Sequence, residues 1–267
     1  MNFYERDLYT GLAAVHWSTI SVTDPRVDQA FYRQIIQRNR GKALELGCGA
    51  GRLLLAYLKE GLDVEGVDIS SDMLAVCRKA AEADGLHPVL YEQQMQCLNL
   101  PHRFNTIYIS CGSFVCVMDR AAALQTLQRC HVHLNPGGEL AFNLDPANRY
   151  YFQDEPDQVF PKEWRRLADK QLPDGRRLLV YHRKVWEDAV EQLKMQERRY
   201  ELYEGDRLVQ EEIHASKTRW YHRNELLWML QLAGFSNVVV KGDFTGEDLN
   251  ANHKENMVFV ATKDADA

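Results

Sequence analysis

The chain has 267 residues, room for one large domain or for one core carrying a sizeable insertion. Hydrophobic residues make up 45% and charged residues 26%, the balance of an ordinary globular protein rather than of a disordered or fibrous one. The formal net charge of −6 gives no general attraction to phosphate backbones or anionic lipid, which disfavours nucleic acid as a partner. No run reaches the roughly 20 apolar residues that span a bilayer, so no membrane partner is expected.

Residues 1–10 mix Glu5, Arg6 and Asp7 with aromatics and lack the apolar centre of an export signal, so a cytoplasmic location is expected. Cys48, Cys77, Cys97, Cys111, Cys116 and Cys130 form no CxxC pair and read as reduced thiols. His131-Val132-His133 has no third ligand at a regular spacing, so no metal is expected.

From residue 43 onward, short apolar runs alternate with amphipathic segments, the rhythm of βαβ units. A strand is predicted over 43–46, a turn over 47–51, and a helix over 52–60 ended by Gly61. A second strand covers 64–68. Ser70 caps a helix reaching Ala83, with Asp72 in its first turn. Strands follow over 88–92 and 104–110, then a helix over 121–134. Asn135-Pro136-Gly137-Gly138 turns the chain into a fifth strand over 139–144.

The rhythm then changes. Residues 145–163 read as an aromatic loop with Tyr150, Tyr151, Phe152 and Phe160. Turns at Pro173-Asp174-Gly175, Glu187-Asp188 and Glu204-Gly205-Asp206 delimit long, polar-rich strands over 176–186, 190–203 and 208–221. Three such strands predict an antiparallel meander with one wet face. Val209, Ile213 and Ala215 share one face of the last. A helix over 225–233, closed by Gly234, and strands over 235–240 and 257–261 complete the chain. The expected fold class is α/β, with a doubly wound, seven-stranded, mostly parallel sheet. Its core comprises 1–145 and 222–267, with 1–30 as a leader. Residues 146–221 are inserted as a small antiparallel lid.

The sharpest signal is Leu44-Glu45-Leu46-Gly47-Cys48-Gly49-Ala50-Gly51-Arg52-Leu53-Leu54, a strand, a tight glycine turn and a helix. Glycines let the backbone take positive φ and approach a ligand closely. A dinucleotide fingerprint would space them GxGxxG; here they fall GxGxG, with Glu45 just ahead. A dinucleotide brings a pyrophosphate, which a helix amino end suits. An acid beside the turn instead suits a ligand carrying an ammonium. Asp68 ends the second strand, where an acid accepts hydrogen bonds from both ribose hydroxyls.

On these residues the chain resembles the class I (Rossmann-like) S-adenosylmethionine-dependent methyltransferases, and within them the small-molecule group called methyltransferase domain 25. LELGCGAGRLL is similar to the family's first motif, and Gly66-Val67-Asp68-Ile69-Ser70-Ser71-Asp72-Met73-Leu74 to its second. Leu134-Asn135-Pro136-Gly137-Gly138-Glu139-Leu140 and Ala233-Gly234-Phe235 match later landmarks. The resemblance covers about 31–144 and 221–263. It implies S-adenosyl-L-methionine as cofactor, with the leader folding over it. Gly47, Gly49 and Gly51 would pass beside its methionine part, Asp68 would bind the ribose, and Ile69 and Met73 would pack on adenine. Gln94 stands where the family usually has an Asp for the adenine amino group; its side-chain oxygen accepts the same bond. Glu45, Cys48, Arg52, Met95 and Cys111 complete the implied cofactor set.

Ser110-Cys111-Gly112-Ser113-Phe114 replaces the Asn/Asp-Pro-Pro-aromatic motif of amino-group methylases of DNA. The sulfonium already activates the methyl group, so no single catalytic residue is required. The acceptor is expected to be a small molecule methylated on N or O, with Tyr9, Trp17, Ser113, Arg183 and Tyr221 as candidate contacts. His182, Arg219 and His222 are further polar groups of the insert and its end. A methyltransferase acting on RNA or protein, a non-catalytic cofactor-binding regulator and a nicotinamide oxidoreductase stand as the alternatives.

Overall fold

The computed structural model describes residues 9–19, 27–145 and 162–265; Tyr4, Tyr150, Tyr151, Phe152 and Phe160 lie outside them. Two helices come first, α1 (Gly11–Ser18) and α2 (Val27–Asn39). The βαβ region then runs β1 (Ala43–Leu46), α3 (Arg52–Lys59), β2 (Val64–Asp68), α4 (Ser71–Ala83), β3 (Leu90–Glu92), β4 (Phe104–Ile109), α5 (Arg120–His133) and β5 (Leu134–Leu144). After it come β6 (Arg165–Gln171), β7 (Arg177–Asp188), β8 (Leu193–Glu204), β9 (Arg207–Arg219), α6 (Arg223–Leu232), β10 (Asn237–Gly242) and β11 (Met257–Thr262).

Seven strands form one sheet in the order β10-β11-β5-β4-β1-β2-β3. Only β11 runs against its neighbours. Both faces are covered, which is why its central strands read as continuous apolar runs. Leu44, Leu46, Ile107 and Ile109 point to the face packed by α5 and α6. Ala43 and Tyr108 point to the face packed by α2, α3 and α4. From β1 the chain crosses to β2 on one side and later to β4 on the other. That reversal opens a crevice beyond the carboxyl ends of β1 and β4, where open α/β sheets bind ligands.

The Asn135-Pro136-Gly137-Gly138 turn is absorbed into β5 as a bulge. Phe104 pairs with Leu134, and the next aligned pair is Thr106 with Glu139. The Gly137 N–H donates to the Lys263 carbonyl, and the Lys263 N–H to the Gly138 carbonyl, so the end of β11 satisfies the turn's backbone.

A separate four-stranded antiparallel sheet has the order β6-β7-β8-β9, one strand more than the three expected. Strand β6 reads Arg-Arg-Leu-Ala-Asp-Lys-Gln, with no apolar alternation to announce it. Its pairing with β7 across the Pro173-Asp174-Gly175 turn makes it a strand. Helix α1 seals this sheet: Leu12 and Ala13 pack with Leu178, Val180, Tyr200 and Leu202. Its amino end is tied twice, Gly11 N–H to Asp72 Oδ2 at 3.0 Å and Leu12 N–H to Glu212 Oε2 at 2.8 Å. Both carboxylates meet free N–H groups at the positive end of the helix. The Ser70 hydroxyl donates to the Tyr9 carbonyl at 2.8 Å. The segment 9–12 thus links the antiparallel sheet to the start of α4.

Candidate active site

The glycine turn leaves β1 with Gly47 at φ 71° and Gly51 at φ 86°. A Cβ on Gly47 would stand 2.9 Å from Met95 Cε and 3.1 Å from Ser113 Cβ, so the bare backbone keeps a channel open between the turn and the loops after β3 and β4. A Cβ on Gly51 would stand 2.5 Å from Cys77 Sγ and 2.9 Å from Leu55. There the missing side chain lets α3 lie close against α4.

Asp68 is buried at the end of β2. Its Oδ2 accepts the Gly49 N–H at 2.8 Å and its Oδ1 the Ser70 N–H at 2.9 Å, so one carboxylate fixes both the turn and the cap of α4. Burial pushes its pKa up, against the pull of the Ser70 and Gly49 N–H groups.

Glu45 is buried on β1, with the Ser110 hydroxyl donating to Oε1 at 2.9 Å and the Tyr108 hydroxyl to Oε2 at 3.2 Å. Burial pushes its carboxyl up to about 7, in spite of the Ser110 bond and the nearby Arg52 charge. Arg52 opens α3 and forks onto Asp28 of α2, Nη1 to Oδ1 at 3.1 Å and Nη2 to Oδ2 at 2.5 Å. Its Nη2 also lies 3.1 Å from Cys111 Sγ. The guanidinium therefore anchors α2 beside the turn.

A cavity of about 480 Å³ extends from this turn to the antiparallel sheet. Glu45, Gly47, Cys48, Gly49, Arg52, Asp68, Ile69, Met73, Gln94, Met95 and Cys111 line it, as do Tyr9, Trp17 and Ser113. Gly51, Arg183 and Tyr221 are not brought to it. Arg183 lies on the far face of the sheet, pairing with Glu197 at 2.8 Å and stacking 4.6 Å above the Trp164 ring. Tyr221 is buried against Phe114, and its hydroxyl donates to the Val117 carbonyl at 3.0 Å. It supports the loop after β4 from below. Arg219 is likewise occupied, donating to the Met118 and Glu191 carbonyls.

The residues that sequence reasoning missed are those of the roof: Lys194, Gln196 and Arg198 of β8, and Ser216 and Thr218 of β9. They alternate along their strands, so a period-2 signal was present. Its direction was not legible. Val209 and Ile213, the apolar face of β9, are exposed, and the polar face turns inward. Tyr108, which with Ser110 holds Glu45, reads in the sequence as an ordinary strand residue.

His133 is spent on structure: Nε2 accepts the Leu100 N–H at 3.1 Å and Nδ1 bonds the Arg129 carbonyl at 2.8 Å. Among the described residues no cluster of three His, Cys, Asp or Glu side chains could hold a metal, and no helix is long and apolar enough to cross a membrane.

The family model described as a methyltransferase domain, of the domain 25 group, matches residues 43–138. A Geobacillus sp. (strain WCH70) protein, named a methyltransferase with no substrate stated, is 26% identical over 237 residues, covering 86% of this chain and 88% of its own. An S-adenosylmethionine-dependent methyltransferase from Clostridium acetobutylicum superposes with a TM-score of 0.74 at 17% identity, over 94% of this chain and 97% of that one. The sugar N-methyltransferase KedS8 from Streptoalloteichus superposes with a TM-score of 0.72 at 16% identity, over 99% and 97%.

Proposed function

We propose, from the premise that residues 43–138 carry a class I S-adenosylmethionine-dependent methyltransferase domain, that the chain methylates an N or O atom of a small molecule held between the glycine turn and the antiparallel sheet. The observation that carries this reading is the single cavity shared by the turn and the polar face of β8 and β9.

The residues at the turn fit the cofactor. Asp68 accepts one backbone N–H on each oxygen, with the Ile69 N–H adding its pull; a carboxylate has about four acceptor sites, so capacity remains for the ribose. Ile69 and Met73 offer apolar surface to adenine; Gln94 Oε1 accepts from Gln96 Nε2 at 3.1 Å and would share that neutral oxygen with the adenine amino group. Glu45, buried with two hydroxyl donors and no ion pair among the described residues, suits a ligand ammonium. When bound, the sulfonium supplies an already activated methyl group. The chain's own task is to orient the acceptor in line and to exclude water. The roof formed by the antiparallel sheet and α1 is suited to that task, and this is the sense in which the insert acts as a lid. The fold-level likeness to a sugar N-methyltransferase supports a small, polar acceptor.

The test is calorimetric titration of the full chain with S-adenosylmethionine and S-adenosylhomocysteine, beside Asp68→Ala and Gly49→Val. Saturable one-site binding that both substitutions weaken is the expected result. No binding of either compound to the folded wild type would overturn the reading.

A further inference from the structure

The roof of the cavity carries two donors that no other described residue satisfies, although the Arg198 side chain also hydrogen-bonds that of Tyr200. Arg198 Nε and Trp17 Nε1 are buried without a hydrogen-bond partner among the described residues, and both residues line the cavity. They are neighbours, with the Arg198 guanidinium 5.5 Å from the centre of the Trp17 ring. Buried donors in folded proteins are nearly always paired, so two unpaired ones on residues that line a cavity single out this end of it for a ligand acceptor.

The surrounding charges sharpen this. Two other charged pairs of the same sheet are matched, Arg183 with Glu197 and His214 with Glu212. Glu212, on the strand beside Arg198, is spent on the Leu12 N–H, on His214 and on Gln210. Arg198 has no carboxylate paired to it among the described residues. His16, buried in the adjacent helix, registers the imbalance. Burial first, then the positive charges of Lys170 and Arg198, push its pKa down to about 3. At the other end of the cavity stand the acids Glu45 and Asp68.

Building on the methyltransferase reading, we infer that Arg198 and Trp17 form an anion subsite that holds a carboxylate or phosphate group of the methyl acceptor. The guanidinium supplies a charged, forked donor, and the indole N–H a second donor fixed by its ring. The acceptor is then an anionic small molecule, its acid group at the sheet and its nucleophile directed toward the glycine turn. Arg52, the other arginine of the cavity, is already neutralised by Asp28, which leaves the sheet end as the place for the acid.

The test uses the full chain saturated with S-adenosylhomocysteine and titrated with inorganic phosphate and, separately, with acetate. Tryptophan fluorescence and calorimetry are the readouts. One of the two anions is expected to bind saturably, and which one does so assigns the group as phosphoryl or carboxyl. Arg198→Gln should weaken that binding at least tenfold, Arg198→Lys should retain part of it, and Trp17→Phe should weaken it less than Arg198→Gln. S-adenosylhomocysteine affinity should stay within twofold throughout. Absence of saturation by either anion in the wild type would overturn the proposal, as would unchanged anion affinity in Arg198→Gln. A parallel loss of S-adenosylhomocysteine affinity would also overturn it, by assigning Arg198 to the cofactor. A wild type that binds no S-adenosylhomocysteine would instead sink the methyltransferase reading, and this proposal with it.

Discussion

The backbone N–H of Gly49 donates to Oδ2 of Asp68 across 2.8 Å, joining the glycine turn after β1 to the end of β2. Asp68 therefore has two tasks that a sequence motif shows as one. It holds the turn in shape and, under the proposed function, keeps acceptor capacity for a ligand. Asp68→Asn retains the shape of the side chain but loses the charge, and its NH2 group, a donor only, leaves one of the two backbone N–H groups without an acceptor. Hydrogen bonds to charged groups are worth about 1.5–3 kcal/mol. Cofactor affinity should therefore fall about tenfold or more, measured by calorimetry, while the protein stays folded.

Gly47 and Gly51 should separate site from scaffold. Gly51→Ala forces a side chain at φ 86° into Cys77 Sγ and Leu55. Left-handed strain of about 1–2 kcal/mol adds to overpacking of about 1–3 kcal/mol, so a clear drop in chemical-denaturation midpoint is expected. Gly47→Ala meets the terminal methyl of Met95, which can turn aside, but into the channel. It should cost less stability and more cofactor affinity. Equal losses of stability in the two variants would contradict this division.

Glu45 makes stability depend on pH. Its carboxyl titrates at about 7 in the fold against 4.5 ordinarily. Between those values the folded state keeps a proton that the unfolded state has released. The contribution is thus fully present below pH 4.5 and lost as pH rises through 7. Glu45→Gln removes the loss, so its melting temperature should match wild type in acid and exceed it above pH 7. The difference there is expected to be of order 2–3 kcal/mol. In the wild type, an ammonium-bearing cofactor should release protons on binding below pH 7, read from calorimetry in buffers of different ionisation enthalpy.

Glu212 fastens α1 to the antiparallel sheet through the Leu12 N–H and through His214. Replacing it with Ala leaves that N–H of the helix amino end without its partner, a loss of about 0.5–2 kcal/mol by analogy with helix caps. Amide exchange at Leu12 should accelerate while exchange in β1 and β4 stays slow. Unchanged exchange at Leu12 would show that Asp72 and the apolar contacts of Leu12 and Ala13 hold the helix by themselves.

Much of this protein is determined by local sequence. Strong periodicity and turn chemistry set β1, β2 and β4, and the Ser70 cap of α4, because buried parallel strands and capped helices leave marks within a few residues. The glycine spacing with Glu45 and Asp68 likewise marked residues that line one cavity, since close backbone approach and a strand-end acid are local requirements. Tertiary structure alone decided the rest. Strand β6 exists because β7 pairs with it, not because its residues alternate. The bulge at Asn135-Pro136-Gly137-Gly138 is strand rather than turn because Lys263 comes to satisfy it. Arg183 and Arg198 are alike as letters on neighbouring strands. One stacks on Trp164 on the far face and the other enters the cavity, because α1 packs against one face of the sheet. Alternation fixes that a strand has two faces; only the packing of a distant helix chooses which of them lines the cavity.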